Sequence, residues 1–322
     1  MKTILDTIGQ TPIVRLQHIN PNPLVEILVK LEFFNPSASI KDRMAHYLIE
    51  EAEKAGLLKK GGTIVEATSG NTGASLAMIA AVKGYRAILV VSEKVSQEKQ
   101  NTLKAFGAEI VVTPSNVTAD SPDYYVNVAK KIAEETPNCF QVNQYDNLLN
   151  PKAHYLSTGP EIWQQTNGKI DYFIAAASTG GTISGVGKYL KEQKPEVKIV
   201  MPDPIGSVFY SYFKTGEIPD HAKGNPYLEG IGQNHLTKAI DFSVIDEVIP
   251  VSEKDAFATG RLLARREGIL AGGSSGANVW TALQIAKSLK KPAIIDTVLP
   301  DSGLKYLSKM YDDDWMQTNK LV

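Results

Sequence analysis

The hydrophobic and polar residues alternate between two periods along the chain. Short apolar runs rich in β-branched residues predict strands, at residues 63–67, 86–91, 109–113, 172–176, 197–200 and 293–298. The stretches between them have the 3.6-residue spacing of helices, at 73–83, 96–106, 183–192 and 256–267. Strands that alternate with helices predict an α/β fold, whose mostly parallel, twisted sheets are covered by helices on both faces.

The length and charge of the chain indicate how many lobes it has and which partners are excluded. A chain of 322 residues exceeds the size at which a single core usually stops growing, so we expect two lobes. With 34 Lys and Arg against 35 Asp and Glu, the net charge of -1 offers no basic field for nucleic acid or an anionic membrane. There is no apolar run of about 20 residues and no signal-peptide pattern at the N-terminus, so we expect a cytoplasmic protein.

Two further features concern single segments. Cys139, the one cysteine, lies in an apolar run that predicts a buried strand with a core thiol, and it excludes an intramolecular disulfide framework. The segment 202–234 breaks the strand–helix alternation with many Pro and Gly residues. It is either a surface excursion or a mobile flap beside a site, since long loops often serve as lids.

Three glycine-rich turns share one design, in which a strand leads through small residues into a helix. They lie at 68–73, 178–182 and 272–276. In parallel α/β proteins such turns lie at the carboxyl edge of the sheet, where ligands bind. A helix N-terminus offers N–H groups and a positive dipole end to an anion. One such turn is most simply an ordinary connection, but three turns rich in hydroxyl groups indicate an anion site.

The missing motifs limit which ligand these turns could hold. The first strand–helix junction lacks the dinucleotide fingerprint, and no phosphate loop ending in Gly-Lys-Ser/Thr occurs. The five histidines are scattered, so no metal site is predicted. A cofactor with a small phosphate and no adenine half remains, and pyridoxal phosphate fits if a lysine can form its Schiff base. Lys41 is the candidate, because a small-residue loop opens a predicted helix there, with Asp42 in the first turn.

At this point the sequence resembles a known family. Residues 8–16, 35–43, 68–73, 178–182 and 272–276 resemble, in order, the motifs of the cystathionine β-synthase and cysteine synthase family, from about Thr7 to Met316. These are fold-type II, tryptophan synthase β-like pyridoxal phosphate enzymes. The resemblance implies a smaller lobe at 42–145, a larger lobe formed by 1–41 and 146–322, a cofactor between them, and a homodimer. Some members carry paired regulatory modules and a haem-binding N-terminal extension. Because the sequence ends at Val322 and lacks the Cys and His ligands of that extension, we expect neither a C-terminal regulatory domain nor haem.

The resemblance implies a role for each motif position. Lys41 would form the Schiff base and then act as general base for the α-proton, Asn71 would bind the ring hydroxyl, and Ser274 would face the pyridine nitrogen. The phosphate would be held by Ser178, Thr179, Gly180, Gly181 and Thr182. The substrate carboxylate would be bound by Thr68, Ser69, Thr72 and Gln144.

The implied reaction is β-replacement on serine or O-acetylserine through an aminoacrylate. Glu229, followed by Gly230, stands where sulfide-using members usually have Gln, which favours homocysteine as nucleophile and cystathionine as product, within transsulfuration and cysteine biosynthesis. Alternatively, Glu229 only fastens the flap. Gln233 and Ser178 depart from the usual pattern, and Ser178 also resembles amine-using diaminopropionate synthases. A cysteine synthase, a cysteine β-lyase and a non-catalytic binding relative stay open.

Overall fold

The structure, a computed structural model, describes residues 2–68, 70–118, 120–219 and 227–322. The chain divides into two compact units: unit 1 is Met1–Ile8 with Asn35–Leu149, and unit 2 is Gly9–Phe34 with Asn150–Val322. Lys41 thus belongs to unit 1, whereas the predicted larger lobe includes residues 1–41. The segment from Asn35 onward belongs with the helix that Lys41 begins, because Ser37 hydrogen-bonds to Asp42 in the first turn of that helix.

The described residues form ten strands and eleven α-helices. The strands are β1 (Ile13–Arg15), β2 (Val25–Leu31), β3 (Thr63–Ala67), β4 (Arg86–Ser92), β5 (Glu109–Thr113), β6 (Cys139–Gln141), β7 (Tyr172–Ile174), β8 (Lys198–Pro204), β9 (Glu247–Val251) and β10 (Ala293–Leu299). The helices are α1 (Lys41–Lys54), α2 (Asn71–Lys83), α3 (Gln97–Ala105), α4 (Tyr125–Glu135), α5 (Leu149–Leu156), α6 (Thr158–Gln165), α7 (Gly181–Gln193), α8 (Val208–Thr215), α9 (Glu253–Glu267), α10 (Gly273–Ser288) and α11 (Asp313–Thr318).

The strands of unit 1 form a four-stranded parallel sheet in the order β5-β4-β3-β6. All five residues of β3 are buried, which fits a central strand covered on both faces. Val65 and Ala67 pack with Ala129 of α4 in one apolar cluster. Because side chains alternate along a strand, Glu66 points to the opposite face of the sheet. The fold therefore buries an acidic residue at the centre of unit 1.

Unit 2 contains a six-stranded sheet in the order β1-β2-β10-β7-β8-β9. Every neighbouring pair is parallel except β1 and β2, which pair antiparallel. Each face of this sheet has its own apolar cluster, since Phe173 packs with Ile183 of α7 while the next residue, Ile174, packs with Val279 of α10. The predicted α/β class with parallel-rich, helix-covered sheets is confirmed.

Helix starts are where the elements differ most from the prediction. α2 and α7 each begin two residues before the predicted starts at 73 and 183. The apolar spacing marks only the first inward-facing residue, whereas the first helical turn is built from glycine and hydroxyl residues. The glycine-rich turns are therefore helix N-termini rather than loops that precede helices.

Two expectations about single segments need correction. Cys139 lies in a strand as predicted, but β6 is at the edge of its sheet, so the thiol is half-buried rather than in the core. Partial burial raises the pKa of this thiol, and Arg86 opposes that effect without reversing it. The segment 202–234 is not one irregular excursion, because β8 runs on to Pro204 and α8 follows; residues 220–226 lie outside the described part.

Candidate active site

Each of the four predicted site motifs begins a helix. Lys41 is the first residue of α1, Asn71 of α2, Gly181 of α7 and Gly273 of α10. In none of these four helices does the N-cap side chain accept a hydrogen bond from the first turn. The four N-cap residues are Ile40 and three glycines, and in α2 and α7 a nearby threonine hydroxyl accepts from one N–H group of the first turn instead. A helix N-terminus offers N–H groups and a positive dipole end, which suit anionic or polar ligand groups.

A hydrogen-bonded loop fixes Lys41 at the start of α1. The backbone N–H of Ser37 donates to Oδ2 of Asp42 at 2.7 Å, and the Ser37 hydroxyl donates to Oδ1 of the same carboxylate. The Ser37 hydroxyl also lies 3.2 Å from that of Ser75 on α2. Asp42 is fully buried, while Lys41 is half-buried. The acidic neighbour of Lys41 therefore anchors the loop, which restricts where the lysine can lie.

The turn before α2 is held by a single hydroxyl group. Oγ1 of Thr68 accepts hydrogen bonds from the N–H groups of Gly70, at 3.2 Å, and Gly73, at 3.1 Å. The carbonyl of Asn71 accepts from the hydroxyl of Ser75 at 3.1 Å. Thr68, which the resemblance assigns to the substrate carboxylate, thus also closes the turn. Ser69, assigned the same role, lies outside the described residues.

Two other predicted substrate-binding residues contact each other. The hydroxyl of Thr72 donates to Oε1 of Gln144 at 2.7 Å, although 72 positions separate them in the sequence. Both side chains are buried. The backbone N–H of Gln144 donates to Oε1 of Glu66 at 3.2 Å. Unit 1 therefore brings Thr72 and Gln144 into one polar cluster, and it adds Glu66, which the motifs did not indicate.

Glycine is required in the turn before α7. Gly180 has φ +88°, and a Cβ there would lie 2.4 Å from Cβ of Ile240. A Cβ on Gly181 would lie 1.9 Å from Oδ1 of Asn150. Nδ2 of Asn150 donates to Oγ1 of Thr179 at 3.1 Å, and this oxygen also accepts from the N–H of Gly181 at 3.3 Å. Asn150 thus packs against the backbone of the turn and fixes Thr179.

Three polar contacts tie the same turn to other parts of unit 2. Oγ of Ser178 accepts from Nε2 of Gln233 at 2.8 Å, and the carbonyl of Thr179 accepts from the hydroxyl of Thr237 at 2.6 Å. Oγ1 of Thr182 lies 3.3 Å from Nε2 of His154. The chain between 233 and 237 therefore lines the turn, so part of the segment expected to be a flap is joined to the predicted phosphate site.

Ser274 lies in the first turn of α10 and is 5% exposed. One helical turn later, Asn278 is fully buried, and its Oδ1 accepts from the N–H of Ala176 at 2.8 Å. Nδ2 of Asn278 donates to the carbonyl of Val298 at 2.8 Å. Asn278 therefore fixes the helix that carries Ser274 to β10 and to the chain just before the 178–182 turn.

The Glu229 carboxylate has a basic partner in unit 2. Oε1 of Glu229 accepts from Nζ of Lys309 at 2.7 Å, and the two side chains are 28% and 34% exposed. Gly230, which follows, has φ +81°, a left-handed conformation that suits glycine. An ion pair of this kind fits both readings of Glu229, since it can fasten the segment or hold a charge near a substrate.

Comparison with known proteins gives the family. The sequence profile described as "Pyridoxal-phosphate dependent enzyme" matches residues 4–301, and the chain belongs to this family. Cystathionine beta-synthase of Apis mellifera is 45% identical over 320 residues, covering 99% of this chain and 63% of the relative. Cystathionine beta-synthase of Rattus norvegicus is 45% identical over 315 residues, with 97% and 56% covered. The chain thus spans about three fifths of these relatives' length.

Other relatives match over nearly their full length. Cysteine synthase of Staphylococcus aureus is 43% identical over 306 residues, covering 95% of both chains. A crystal structure of O-ureido-L-serine synthase superposes with a TM-score of 0.88 at 38% identity and covers 99% of both chains. A lysine-to-alanine mutant of that enzyme, bound to O-ureido-L-serine, superposes with a TM-score of 0.87 at 37% identity. The similarity thus covers proteins with three different names.

The turn at 178–182 fits the phosphate of the family's cofactor. A side chain on Gly180 or Gly181 would collide with Ile240 or Asn150, so close packing requires glycine at both positions and the first residue of α7 carries no side chain. A helix N-terminus flanked by Ser and Thr hydroxyls offers the donors that bind phosphate in proteins.

Among the described residues, no group of three or more His, Cys, Asp or Glu could hold a metal ion. No helix in that part of the chain could cross a membrane.

Five of the residues that build these clusters were missed by sequence reasoning: Glu66, Asn150, His154, Gln233 as a contact of Ser178, and Asn278. One of them had a visible signal. A glutamate inside the apolar strand 63–67 is unusual, because a charged side chain is rarely buried unless its hydrogen bonds are satisfied. Gln233 was noted only as a departure from the family pattern. Asn150, His154 and Asn278 are buried on helices, and no motif marks them.

Proposed function

We propose that this chain catalyses pyridoxal phosphate-dependent β-replacement on serine or O-acetylserine, with homocysteine as nucleophile and cystathionine as product. The observation that carries the proposal is that all four motifs begin helices, with Lys41, Asn71, Gly181 and Gly273 as first residues. The cystathionine beta-synthases, 45% identical in Apis mellifera, support the choice of nucleophile.

Each residue set has a defined task in this proposal. The 178–182 turn binds the cofactor phosphate, and Asn71 and Ser274 bind the ring hydroxyl and the pyridine nitrogen. Pyridoxal phosphate supplies an electron sink when bound. Nζ of Lys41 removes the α-proton of the amino acid, which is general base catalysis by a positioned amine. Because Ser274 is neutral, a full charge on the ring nitrogen is not stabilised, and this favours loss of the β-substituent over transamination.

Thr68, Ser69, Thr72 and Gln144 bind the amino-acid carboxylate through neutral donors. Such donors orient the substrate. Holding the reacting groups in place lowers the entropic part of the activation barrier. The proton taken by Lys41 is available to the departing hydroxyl or acetate. When the nucleophile adds at the β-carbon, the proton of its S–H group passes to Nζ of Lys41 and from there to the α-carbon, which restores an amino acid with a new carbon–sulfur bond.

A second candidate is a cysteine synthase that uses sulfide. The observation in its favour is that Glu229 forms an ion pair with Lys309, as expected if Glu229 only fastens its segment. The Staphylococcus aureus cysteine synthase, covered over 95% of both chains, also supports it. A third product, O-ureido-L-serine, is suggested by the name of the solved structure that superposes over 99% of both chains.

A nucleophile competition tests the proposal. Holoenzyme receives O-acetylserine, or serine in a parallel reaction, with equal homocysteine, sulfide, ammonia and hydroxyurea, and mass spectrometry reads the products. We expect mainly cystathionine. Mainly cysteine would contradict the choice of nucleophile and favour sulfide assimilation, and O-ureido-L-serine or a diaminopropionate would favour the other relatives. If no product forms with any of the nucleophiles, β-replacement itself is contradicted.

We also propose that the protein is a cytoplasmic homodimer. Light scattering on the purified protein tests the oligomeric state.

A further inference from the structure

Glu66 is an unexpected residue at the centre of unit 1. It lies in the all-buried strand β3 and is 2% exposed. Its Oε2 accepts from the backbone N–H of Asn143 at 2.8 Å, and its Oε1 accepts from that of Gln144 at 3.2 Å. A carboxylate that accepts two consecutive backbone N–H groups holds the chain in one conformation at that point.

The backbone conformation that Glu66 holds at Asn143 is energetically unfavourable for most residues. Asn143 has φ +49°, in the left-handed region, which asparagine tolerates better than most residues but still at a cost. After the turn, the carbonyl of Asn143 accepts from the N–H groups of Asp146 at 3.1 Å and Asn147 at 3.0 Å. The side chain of Gln144 therefore leaves the backbone in a direction that this turn sets.

Gln144 and Thr72 complete the cluster. The amide group of Gln144 places its Oε1 toward Thr72, whose hydroxyl donates to it at 2.7 Å. The side-chain amide also lies within reach of the Glu66 carboxylate. Glu66 thus acts on both the backbone and the side chain of Gln144, and through Gln144 on Thr72.

We propose that Glu66 is a positioning residue, which holds the 143–144 turn so that Gln144, whose Oε1 accepts from the hydroxyl of Thr72, presents its side-chain NH₂ group to the carboxylate of the amino-acid substrate. The proposal rests on the proposed function, since it concerns the substrate of that reaction. Glu66 itself does not touch the substrate. Its effect is on the affinity for the amino acid rather than on the bond-breaking step.

The charge state of Glu66 gives this role a pH dependence. Burial raises its pKa to about 7, and the hydrogen bonds from Gln144 and Asn143 oppose that rise. No charged group contributes to the shift. Four elements pack against β3, and their charged or titratable residues are Lys83 on α2, Arg86 on β4, Cys139 on β6, and Tyr125, Lys130, Lys131, Glu134 and Glu135 on α4. Below pH 7 a protonated oxygen loses its capacity to accept one N–H group, so substrate affinity falls.

Glu66→Gln tests the proposal by its effect on KM and kcat. Glutamine keeps the shape but offers one acceptor oxygen and a competing NH₂ group to the two N–H donors. We expect KM for the amino-acid substrate to rise about tenfold or more, with a much smaller change in kcat. The rise in KM of the wild-type enzyme below pH 7 should disappear in the variant. An unchanged KM with an unchanged pH profile would overturn the proposal.

Glu93→Gln is the matched control. The exposed carboxylate of Glu93 also accepts two hydrogen bonds from one place in unit 1, from the N–H of Ser115 at 3.0 Å and its hydroxyl at 2.7 Å. The substitution Glu93→Gln removes the same charge without altering the 143–144 turn, so we expect the KM of the wild-type enzyme. An equal rise in KM in both variants would assign the effect to lost charge and overturn the proposal.

A second measurement uses the wild-type enzyme alone, so it requires neither turnover nor a correctly folded variant. In wild-type holoenzyme labelled with ¹⁵N asparagine and glutamine, the amide resonances of Asn143 and Gln144 should shift together with a midpoint near pH 7. Resonances that do not move between pH 5.5 and 8.5 would overturn the proposal. If they shift but no amino acid binds to the wild-type enzyme, the proposed function fails while the role of Glu66 in the turn stands.

Discussion

Nε2 of Gln233 donates a hydrogen bond to Oγ of Ser178 at 2.8 Å. Both residues depart from the usual pattern of the family that the sequence resembles, and the structure pairs them. The backbone of Gln233 is fixed separately, because its N–H donates to Oγ of Ser207 at 3.2 Å and its carbonyl accepts from Val208 at 2.9 Å. The side-chain contact can therefore be removed without releasing the chain.

Gln233→Ala should weaken binding of pyridoxal phosphate about 3- to 10-fold, because one hydrogen bond that orients the phosphate turn is lost. Ser178→Gly removes the same contact from the other side. The two changes should not add in the double variant, since either one alone breaks the pair. The measurement is cofactor affinity by fluorescence titration of the apoenzyme, and additive losses would show that the two side chains act independently.

Gly181→Ala should abolish stable cofactor binding. The new Cβ would lie 1.9 Å from Oδ1 of Asn150, so either the turn or Asn150 must move, and Thr179 loses a partner. Gly187→Ala in the same helix is the control, because its Cβ would meet Ile199 and Val244 at 3.2 Å, where flexible side chains can adjust. Equal cofactor content in both purified variants would contradict the importance of the bare backbone at 181.

Asp296→Asn should flatten the pH dependence of stability in the range below about pH 8. Burial raises the pKa of Asp296 in β10 to about 8, and Lys30 opposes that rise. The folded state therefore holds a proton that the unfolded chain has released by about pH 4, so stability is greatest below that pH and falls as pH rises through 8. The fall can reach roughly 1 kcal/mol per pH unit.

Thermal denaturation of wild type and Asp296→Asn between pH 6 and 9 measures this effect. The wild-type Tm should drop over this range, and the drop should be smaller in the variant. Equal slopes would mean that Asp296 is not the group that titrates. Asp203→Asn serves as the comparison, because burial raises the pKa of Asp203 only to about 6, which places its titration at lower pH.

Glu229→Gln and Lys309→Gln together separate the two roles of the Glu229–Lys309 pair. Both side chains are partly exposed, so neither change should cost more than about 1 kcal/mol of stability. If Glu229 meets the amino group of homocysteine, only Glu229→Gln should raise KM for homocysteine, with KM for sulfide unchanged. Equal effects of both variants on both nucleophiles would mean that the pair only fastens the segment.

Local pattern was enough for much of the fold. The strands at 63–67 and 109–113 lie where the alternation predicted them, because a run of β-branched residues bounded by glycine or proline admits few other conformations. The helix that begins at Lys41 was also predicted, since a small-residue loop preceded it. Helix starts at 71 and 181 were missed by two residues, because glycine and threonine carry no apolar signal.

Contacts across the chain could not be predicted in this way. Thr72 and Gln144 were assigned the same role by resemblance, but that they touch depends on the pairing of β3 with β6. His154 contacts Thr182 across 28 positions, and Glu66 contacts Asn143 across 77. A single sequence shows the type of each residue but not which residues it contacts. The roles of these residues can therefore be assigned only once the order of the strands is known.

The most direct test of the account is to identify the lysine that carries the cofactor. Holoenzyme is reduced with borohydride, digested and mapped by mass spectrometry for a pyridoxyl group, with Lys41→Ala treated in parallel. We predict the label on Lys41 in the wild type, no label in the variant, and loss of turnover with it. A label on another lysine, or β-replacement retained in Lys41→Ala, would contradict the assignment of Lys41 and of the reaction built on it.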